Sequence, residues 1–168
     1  FVKLGVTRAG EIGLNVREED LMETCRVADV MDKTVPIISV ATPLKDVIRT
    51  VSGTEAFYYP VVDGGNRLAG AITLHGIRNT FATQELNDWL VALDIMEPVV
   101  ARITPETPLS EAFQRAKRYN LDYLPVVQAE GQDALVGVLD CPAARRSLSM
   151  EVLSRQEKAD NTHGTRCA

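Results

Sequence analysis

The sequence predicts a mixed α/β protein, of the α+β kind, built from two tandem copies of one β-α-β-β-α unit. The main observation is an internal repeat: residues 29–62 aligned with residues 94–127, an offset of 65, give 11 identities in 34 positions. Both copies also contain the helix start Thr-Pro-Leu and the strand Tyr-x-Pro-Val-Val. One unit is too small to cover both faces of its own sheet, so the two copies are expected to pack against each other.

The first copy opens with a short buried strand over residues 35–40, followed by a helix. Thr42 is predicted to cap this helix, with Pro43 at its first position. The apolar residues that follow have the i, i+3, i+4, i+7 spacing of one helix face: Leu44, Val47, Ile48 and Val51. Thr107, Pro108 and Leu109 predict the same helix in the second copy.

Two strands and a second helix complete each copy. Residues 57–62 and 67–73 are predicted strands, joined by Asp63-Gly64-Gly65-Asn66, whose glycines and asparagine favour the positive φ angles of a tight hairpin. The counterpart strands are residues 122–127 and 134–140. Helices near residues 75–81 and 142–150 follow the two hairpins. The predicted core contains residues from both copies: Val30, Ile48, Val61, Ile72, Ile95, Phe113, Val126 and Leu139.

Three segments flank the units, which span residues 27–82 and 94–150. Residues 1–26 are expected to form a tether and a short helix. Residues 83–93 are a predicted linker helix, because the apolar residues there have helical spacing: Leu86, Trp89, Leu90 and Leu93. Residues 151–168 contain few apolar residues towards their end and are expected to form a flexible tail.

Composition excludes several classes of function. The 18 basic and 23 acidic residues give a net charge of −5, which argues against a nucleic-acid partner. No apolar run approaches the roughly 20 residues of a membrane helix. Three cysteines without close spacing, Cys25, Cys141 and Cys167, favour a reducing compartment. Two histidines, no phosphate loop and no nucleophile motif argue against an enzyme or a metal site.

The doubled motifs resemble a pair of CBS domains, the arrangement called a Bateman module, over roughly residues 27–150. They are the Asp-x-Met turns at Asp29 and Asp94, the Thr-Pro-Leu helix starts, the Tyr-x-Pro-Val-Val strands and the Leu-x-Gly strands. The resemblance implies two β-α-β-β-α units packed about a pseudo-twofold axis, a disc-shaped homodimer, and a regulatory role that often involves adenine nucleotides. The apolar residues Ile77, Phe81 and those at 143–148 are the predicted dimer surface.

The flank before the first unit has a second resemblance. Lys3-Leu4, Arg8-Ala9-Gly10 and residues 17–31 are similar to the segment that joins the membrane domain of ClC-type chloride channels and transporters to their CBS pair. This implies a module on the cytoplasmic side of a membrane, with the membrane domain of the same full-length protein as its partner. The competing interpretation is a free-standing or enzyme-fused CBS pair that senses an adenine nucleotide.

The nucleotide pattern of the family is altered in both copies. Nucleotide-binding CBS pairs carry Gly-x-x-Ser/Thr-x-x-Asp, in which the resemblance assigns the hydroxyl to phosphate and the carboxylate to ribose. The first copy has Thr73 but Gly76 at the acid position, and the second has Asp140 and Ala143. Thr73 and Asp140 are equally suited to helix capping. Binding of ATP, ADP or AMP is therefore expected to be weak or absent. The candidate lining residues are Val35, Ile37, Phe57 and Thr73, which are expected to share one cleft able to accept a base, and Asp140 of the second copy.

Overall fold

The computed structural model describes residues 20–81 and 89–164 of the chain. Residues 20–24 are helical and precede the first unit. The elements of the first unit are α1 (Val27–Val30), β1 (Ile38–Ser39), α2 (Leu44–Ser52), β2 (Tyr58–Val62), β3 (Leu68–Thr73) and α3 (Leu74–Phe81). Those of the second unit are α4 (Ala92–Ile95), α5 (Leu109–Arg118), β4 (Tyr123–Ala129), β5 (Gln132–Asp140) and α6 (Cys141–Gly164). The predicted α/β class and the duplicated unit are confirmed.

Each unit contains a small sheet. In the first, β1 is parallel to β2, and β2 is antiparallel to β3. In the second, β4 and β5 form an antiparallel pair, and the counterpart of β1 is reduced to a single parallel bridge between Ile103 and Val126. The strand predicted over residues 35–40 of the first copy is shorter than expected, because β1 contains only Ile38 and Ser39.

The opening segment of each unit pairs with the other unit. Asp32 and Val138 exchange two backbone hydrogen bonds of 2.8 and 2.9 Å, and Glu97 and Ala71 exchange two of 2.7 and 3.0 Å. Because residues 32 and 97 occupy equivalent positions in the repeat, the exchange is reciprocal. The two units are thus joined by backbone pairing as well as by side-chain packing.

The same exchange determines how α2 and α5 begin. The prediction that Thr42 caps α2 and that Pro43 is its first residue is wrong, since Pro43 occupies the N-cap and makes no side-chain cap bond. The first helical amide of α2, that of Leu44, instead donates to the carbonyl of Leu90 at 2.9 Å. In α5 the amide of Leu109 donates to the carbonyl of Cys25 at 3.1 Å. Carbonyls of the segment that precedes the other unit therefore satisfy amides that a capping side chain was expected to satisfy.

The prediction of a linker helix over residues 83–93 is wrong for its C-terminal part. Trp89 lies in a turn, and the helix that follows is the short α4. The amide of Ala92 donates to the carbonyl of Thr42 at 2.8 Å. This stretch therefore pairs with the first unit instead of continuing a longer helix. Residues 83–88 of that prediction, and residues 1–19 of the predicted tether, lie outside the described residues.

The first hairpin turn is organised by a side chain. Asp63 Oδ1 accepts hydrogen bonds from the amides of Gly65 at 2.9 Å and Arg67 at 3.0 Å. In this turn the positive φ angle belongs to Asn66, at 60°, and neither glycine has one. The prediction of a tight turn is confirmed, but the reason given for the glycines is wrong.

The apolar core includes seven of the eight predicted positions. Val61, Ile72, Phe113, Val126 and Leu139 are buried, and Val30 and Ile95 are half-buried and pack against the core, whereas Ile48 is half-buried outside the core clusters of the described residues. Two smaller clusters join the units through equivalent residues, one formed by Val62, Leu68, Val127 and Leu135, the other by Tyr58, Ala71 and Val138.

Helix α6 extends far beyond the predicted end at residue 150. It continues to Gly164, and Val152 is buried against the second unit, so a flexible tail does not begin at residue 151. Ile77, Ala144 and Leu148 are also buried within the chain, which contradicts the predicted dimer surface at those residues. Within the part of the chain that the structure describes, no helix combines the length and apolar character that a membrane crossing requires.

Two glycines allow the exchanged segments to approach. A Cβ atom on Gly137 would lie 2.8 Å from the carbonyl oxygen of Asp32, and one on Gly70 would lie 2.8 Å from that of Glu97. We expect Gly137→Ala to lower the free energy of unfolding by about 1–3 kcal/mol, because a backbone contact must move. Urea unfolding followed by circular dichroism measures this.

The matched control is Gly64→Ala, because no atom lies within 4 Å of a Cβ at that position. It should unfold within about 0.5 kcal/mol of the wild type, as surface substitutions usually do. Equal stability of the Gly137→Ala and Gly64→Ala variants would contradict the importance of the exchange contact.

Candidate functional site

Two clefts lie between the units. Cleft A has a volume of about 830 Å³ and cleft B a volume of about 550 Å³. Cleft A is bordered by residues 97–101 of one exchanged segment, the start of α3 and residues 120–123. Cleft B is bordered by residues 32–36 of the other exchanged segment, residues 54–58 and Asp140. The two linings are equivalent in the repeat, so duplication of the unit also duplicated the cleft.

A stacked tyrosine pair separates the two clefts. Tyr58 and Tyr123 are equivalent in the repeat and line both clefts. Their ring centroids lie 5.5 Å apart with an interplanar angle of 19°. The pair presents an aromatic wall to each cleft, which is a surface suited to a planar apolar ligand.

The structure divides the sequence-predicted site residues between the clefts. Thr73 lines cleft A, Val35 and Asp140 line cleft B, and Phe57 lines both. Ile37 lines neither cleft and is half exposed. Val35 and Thr73, which were expected to share one cleft, lie in different clefts, because the exchange carries residues 32–36 to the second unit.

Thr73 and Asp140 cap the helices that follow them. Thr73 Oγ1 accepts a hydrogen bond from the amide of Gly76 at 3.1 Å, and Asp140 Oδ1 accepts one from the amide of Ala143 at 3.0 Å. The capping interpretation of both residues is confirmed. The cap uses the Thr73 oxygen as an acceptor, so its hydroxyl proton remains able to point towards a ligand in cleft A.

The clefts differ in charge. The lining of cleft A contains the basic side chains His75 and Arg78 as well as Glu97 and Asp122. The charged residues that line cleft B are all acidic: Asp32, Glu55 and Asp140. An anionic ligand therefore meets an attractive charge only in cleft A. The described residues include no group of histidine, cysteine and acidic side chains arranged to hold a metal ion.

The phenols between the clefts remain neutral. Burial, and secondarily the charge of Glu97, raises the pKa of Tyr58 well above its usual range. Burial raises the pKa of Tyr123 as well, and the neighbouring Asp140 adds to the effect. Neutral hydroxyls both donate and accept hydrogen bonds, so either ring edge can contact a polar ligand.

Cys141, beside Asp140 at the start of α6, is a packing residue. It is 4% exposed, and burial raises the pKa of its thiol to about 11, with Arg145 opposing the shift. A thiol with a raised pKa is a poor nucleophile. The burial of Cys141 therefore argues against a reactive thiol at this helix start.

The sequence-based site omitted the residues that give cleft A its character. Tyr58 and Tyr123 were visible as a repeated strand residue but were not assigned to a cleft. Glu97 directly follows the Asp-x-Met turn of the second copy, and its role emerges only from the exchange. Arg78 lies one helical turn after Leu74 and is likewise brought to the cleft by the start of α3.

One curated relative matches part of this chain. The chain is 25% identical over 114 residues to a homoserine O-acetyltransferase of Methanosphaera stadtmanae. The match covers 68% of this chain and 22% of that relative, so the chain spans about a fifth of its length.

Two solved structures share the fold. One is the CBS domain pair of protein MJ0100 in complex with 5′-methylthioadenosine and S-adenosyl-L-methionine, with a TM-score of 0.60, 20% identity and coverage of 81% of this chain and 98% of that one. The other is the CBS domain of a CBS domain-containing membrane protein from Sphaerobacter thermophilus, with a TM-score of 0.64, 19% identity and coverage of 86% and 96%. A model of the CBS domain family matches residues 27–82 and 91–141, one match for each unit. The chain therefore belongs to the CBS domain family and consists of a CBS pair.

Proposed function

We propose that this CBS pair is a regulatory module that senses an adenosine-containing ligand in cleft A. The observation that carries the proposal is the composition of that cleft: an aromatic wall, a hydroxyl at a helix start and two basic side chains surround about 830 Å³. The structural neighbour MJ0100 was solved with two adenosine-containing ligands, which supports the ligand class. The lining contains groups that recognise a ligand and none of the nucleophile motifs of catalysis, so binding is the proposed activity.

Charge favours cleft A over cleft B. His75 is exposed in the first turn of α3, where the helix dipole also attracts anions, and the exposed Arg78 lines the cleft from the last turn of that helix. In cleft B the equivalent helix begins with the carboxylate of Asp140, which repels a phosphate. The two clefts are therefore not interchangeable, although their backbones are equivalent.

Binding is expected to be weak. Gly76 and Ala143 carry no carboxylate at the positions where the family pattern places an acid. A hydrogen bond to a charged group contributes about 1.5–3 kcal/mol, so losing the acid from its own helix lowers the affinity by roughly ten-fold or more unless another residue of the cleft supplies the carboxylate. We expect dissociation constants in the micromolar range or weaker.

Thermal unfolding with added ligand tests the proposal. AMP at 100 times its dissociation constant should stabilise the chain by about 2.7 kcal/mol through mass action. Thr73→Ala should abolish the stabilisation by AMP. Arg78→Ala should reduce the shift caused by AMP but leave that caused by the uncharged 5′-methylthioadenosine, because Arg78 is proposed to contact the anion.

Asp140→Ala is the matched control. It removes the equivalent helix cap from cleft B, so it should lower the melting temperature by a similar amount while the shift on adding AMP persists. If no adenosine-containing ligand changes the melting temperature, or if only Asp140→Ala removes the response, the assignment to cleft A is wrong.

We further propose that the pair is attached to a ClC-type membrane domain on the cytoplasmic side of a membrane. The resemblance of residues 17–31 to the linker of that family supports this attachment, and the Sphaerobacter neighbour is a CBS domain of a membrane protein. Attachment to an enzyme is the second candidate, because the curated relative is named an acetyltransferase and is much longer than the match.

The gene sequence upstream of Phe1 distinguishes these candidates. We expect about ten apolar segments of roughly 20 residues each, the length that spans a bilayer. An upstream enzyme domain would favour the second candidate, and a start codon a few residues before Phe1 would eliminate the attachment to an upstream membrane domain.

We also propose that the module forms a homodimer through α6. Met150 and Leu153 lie on this helix with 71% and 56% of their surface exposed, and apolar side chains of this size are unfavourable in water. Sedimentation equilibrium at micromolar concentration should give twice the chain mass of 18.4 kDa. Leu153→Glu should weaken the dimer, while the neighbouring exposed control Ser154→Glu should not. A monomer at all concentrations would contradict the proposal.

A further inference from the structure

We infer that the carboxylate of Glu97 is the acceptor for the ribose hydroxyls of the ligand in cleft A. The inference rests on the proposed function, since it specifies which side chain distinguishes a ribonucleoside from its deoxy analogue. Glu97 lies on the exchanged segment of the second unit, not on α3, where the family pattern places the acid.

The backbone of Glu97 is held firmly against the first unit. Its amide donates to the carbonyl of Ala71 at 2.7 Å, and its carbonyl accepts from the amide of Ala71 at 3.0 Å. The neighbouring strand residue Gly70 permits this approach, because a Cβ there would lie 2.8 Å from the Glu97 carbonyl oxygen. The two hydrogen bonds therefore fix the Cα atom of Glu97 at the edge of cleft A.

The carboxylate of Glu97 reaches the start of α3. A Cβ atom on Gly76 would lie 3.1 Å from Glu97 Oε1 and 3.3 Å from Thr73 Oγ1. One carboxylate oxygen thus occupies the space directly beside Gly76, within the volume that a short acidic side chain at residue 76 would fill. Glu97 of the second unit thus places a negative charge beside residue 76 of α3, where the first unit has a glycine.

This carboxylate is available to a ligand. Glu97 is exposed, and its carboxylate forms no ion pair or hydrogen bond to another of the described residues. Its repeat equivalent Asp32 is different, because Oδ1 of Asp32 accepts from the amide of Thr34 at 2.7 Å and from its hydroxyl at 2.6 Å. An ionised carboxylate accepts hydrogen bonds from neighbouring hydroxyls, and acidic residues contact ribose in this way in other nucleotide sites.

Tyr58 gives an independent indication of a ligand. Its side chain is buried, with 9% exposure, and lines the cleft, yet its hydroxyl has no hydrogen-bond partner among the residues that the structure describes. Buried polar groups without partners are rare and mark places where a ligand or water supplies the bond. Tyr58 and Glu97 both line cleft A, so the phenol and the carboxylate border the same ligand volume.

Isothermal titration calorimetry with AMP and 2′-deoxy-AMP tests the inference. The wild-type chain should prefer AMP by about ten-fold, the effect of one hydrogen bond to a charged acceptor. Glu97→Gln should bind AMP about ten-fold more weakly and lose the preference over 2′-deoxy-AMP. The matched control Glu55→Gln removes an exposed carboxylate from cleft B and should retain both the affinity and the preference.

A second variant tests the position of the charge. In Glu97→Ala/Gly76→Asp the acid moves to α3, into the space that Glu97 has vacated, and the preference for AMP should return. Thermal unfolding of each variant without ligand verifies that it is folded.

The outcomes separate the two proposals. An unchanged preference in Glu97→Gln, with AMP still bound, would overturn the role of Glu97 and leave the proposed function intact. Failure of the folded wild-type chain to bind either nucleotide would overturn both.

Discussion

The reciprocal exchange of opening segments is the constraint on which the rest of this structure depends. Each unit completes the other, because the segment before one unit pairs with the last strand of its partner and supplies a carbonyl to the first amide of its partner's helix. Gly70 and Gly137 are needed at the crossing points, where any side chain would meet a carbonyl oxygen. Neither unit could satisfy these backbone groups alone, so the two are expected to fold as one cooperative body.

The clefts are a consequence of the exchange. Each is bounded by a strand-to-helix junction of one unit and an opening segment that belongs in sequence to the other. Duplication gives both clefts the same backbone outline and a shared tyrosine pair. Substitution then distinguishes them, since α3 starts with a neutral hydroxyl and α6 starts with a carboxylate. A difference of one charge at a helix start is sufficient to change which ligands are attracted.

This geometry suits a regulatory module. A ligand in cleft A would contact α3 of the first unit and residues 97–101 of the second, so its binding energy would depend on how the units are packed. A ligand shifts a conformational equilibrium only by its difference in affinity for the two states. A ligand that contacts both units has different affinities for two states in which the units are packed differently. The long helix α6 begins beside cleft B, directly after its cap Asp140.

Repeats, periodicity and capping are local properties of the chain, so the duplication, the order of elements, the apolar faces of the helices and the caps at Thr73 and Asp140 could be predicted from the sequence. Which segment pairs with which unit could not, since the two opening segments are equivalent in sequence and tertiary contacts select between them. For that reason Val35 and Thr73 were assigned to one cleft, and the position of Glu97 beside Gly76 could not be foreseen. The length of α6 was also decided by tertiary packing, through the burial of Val152, where local composition indicated a tail.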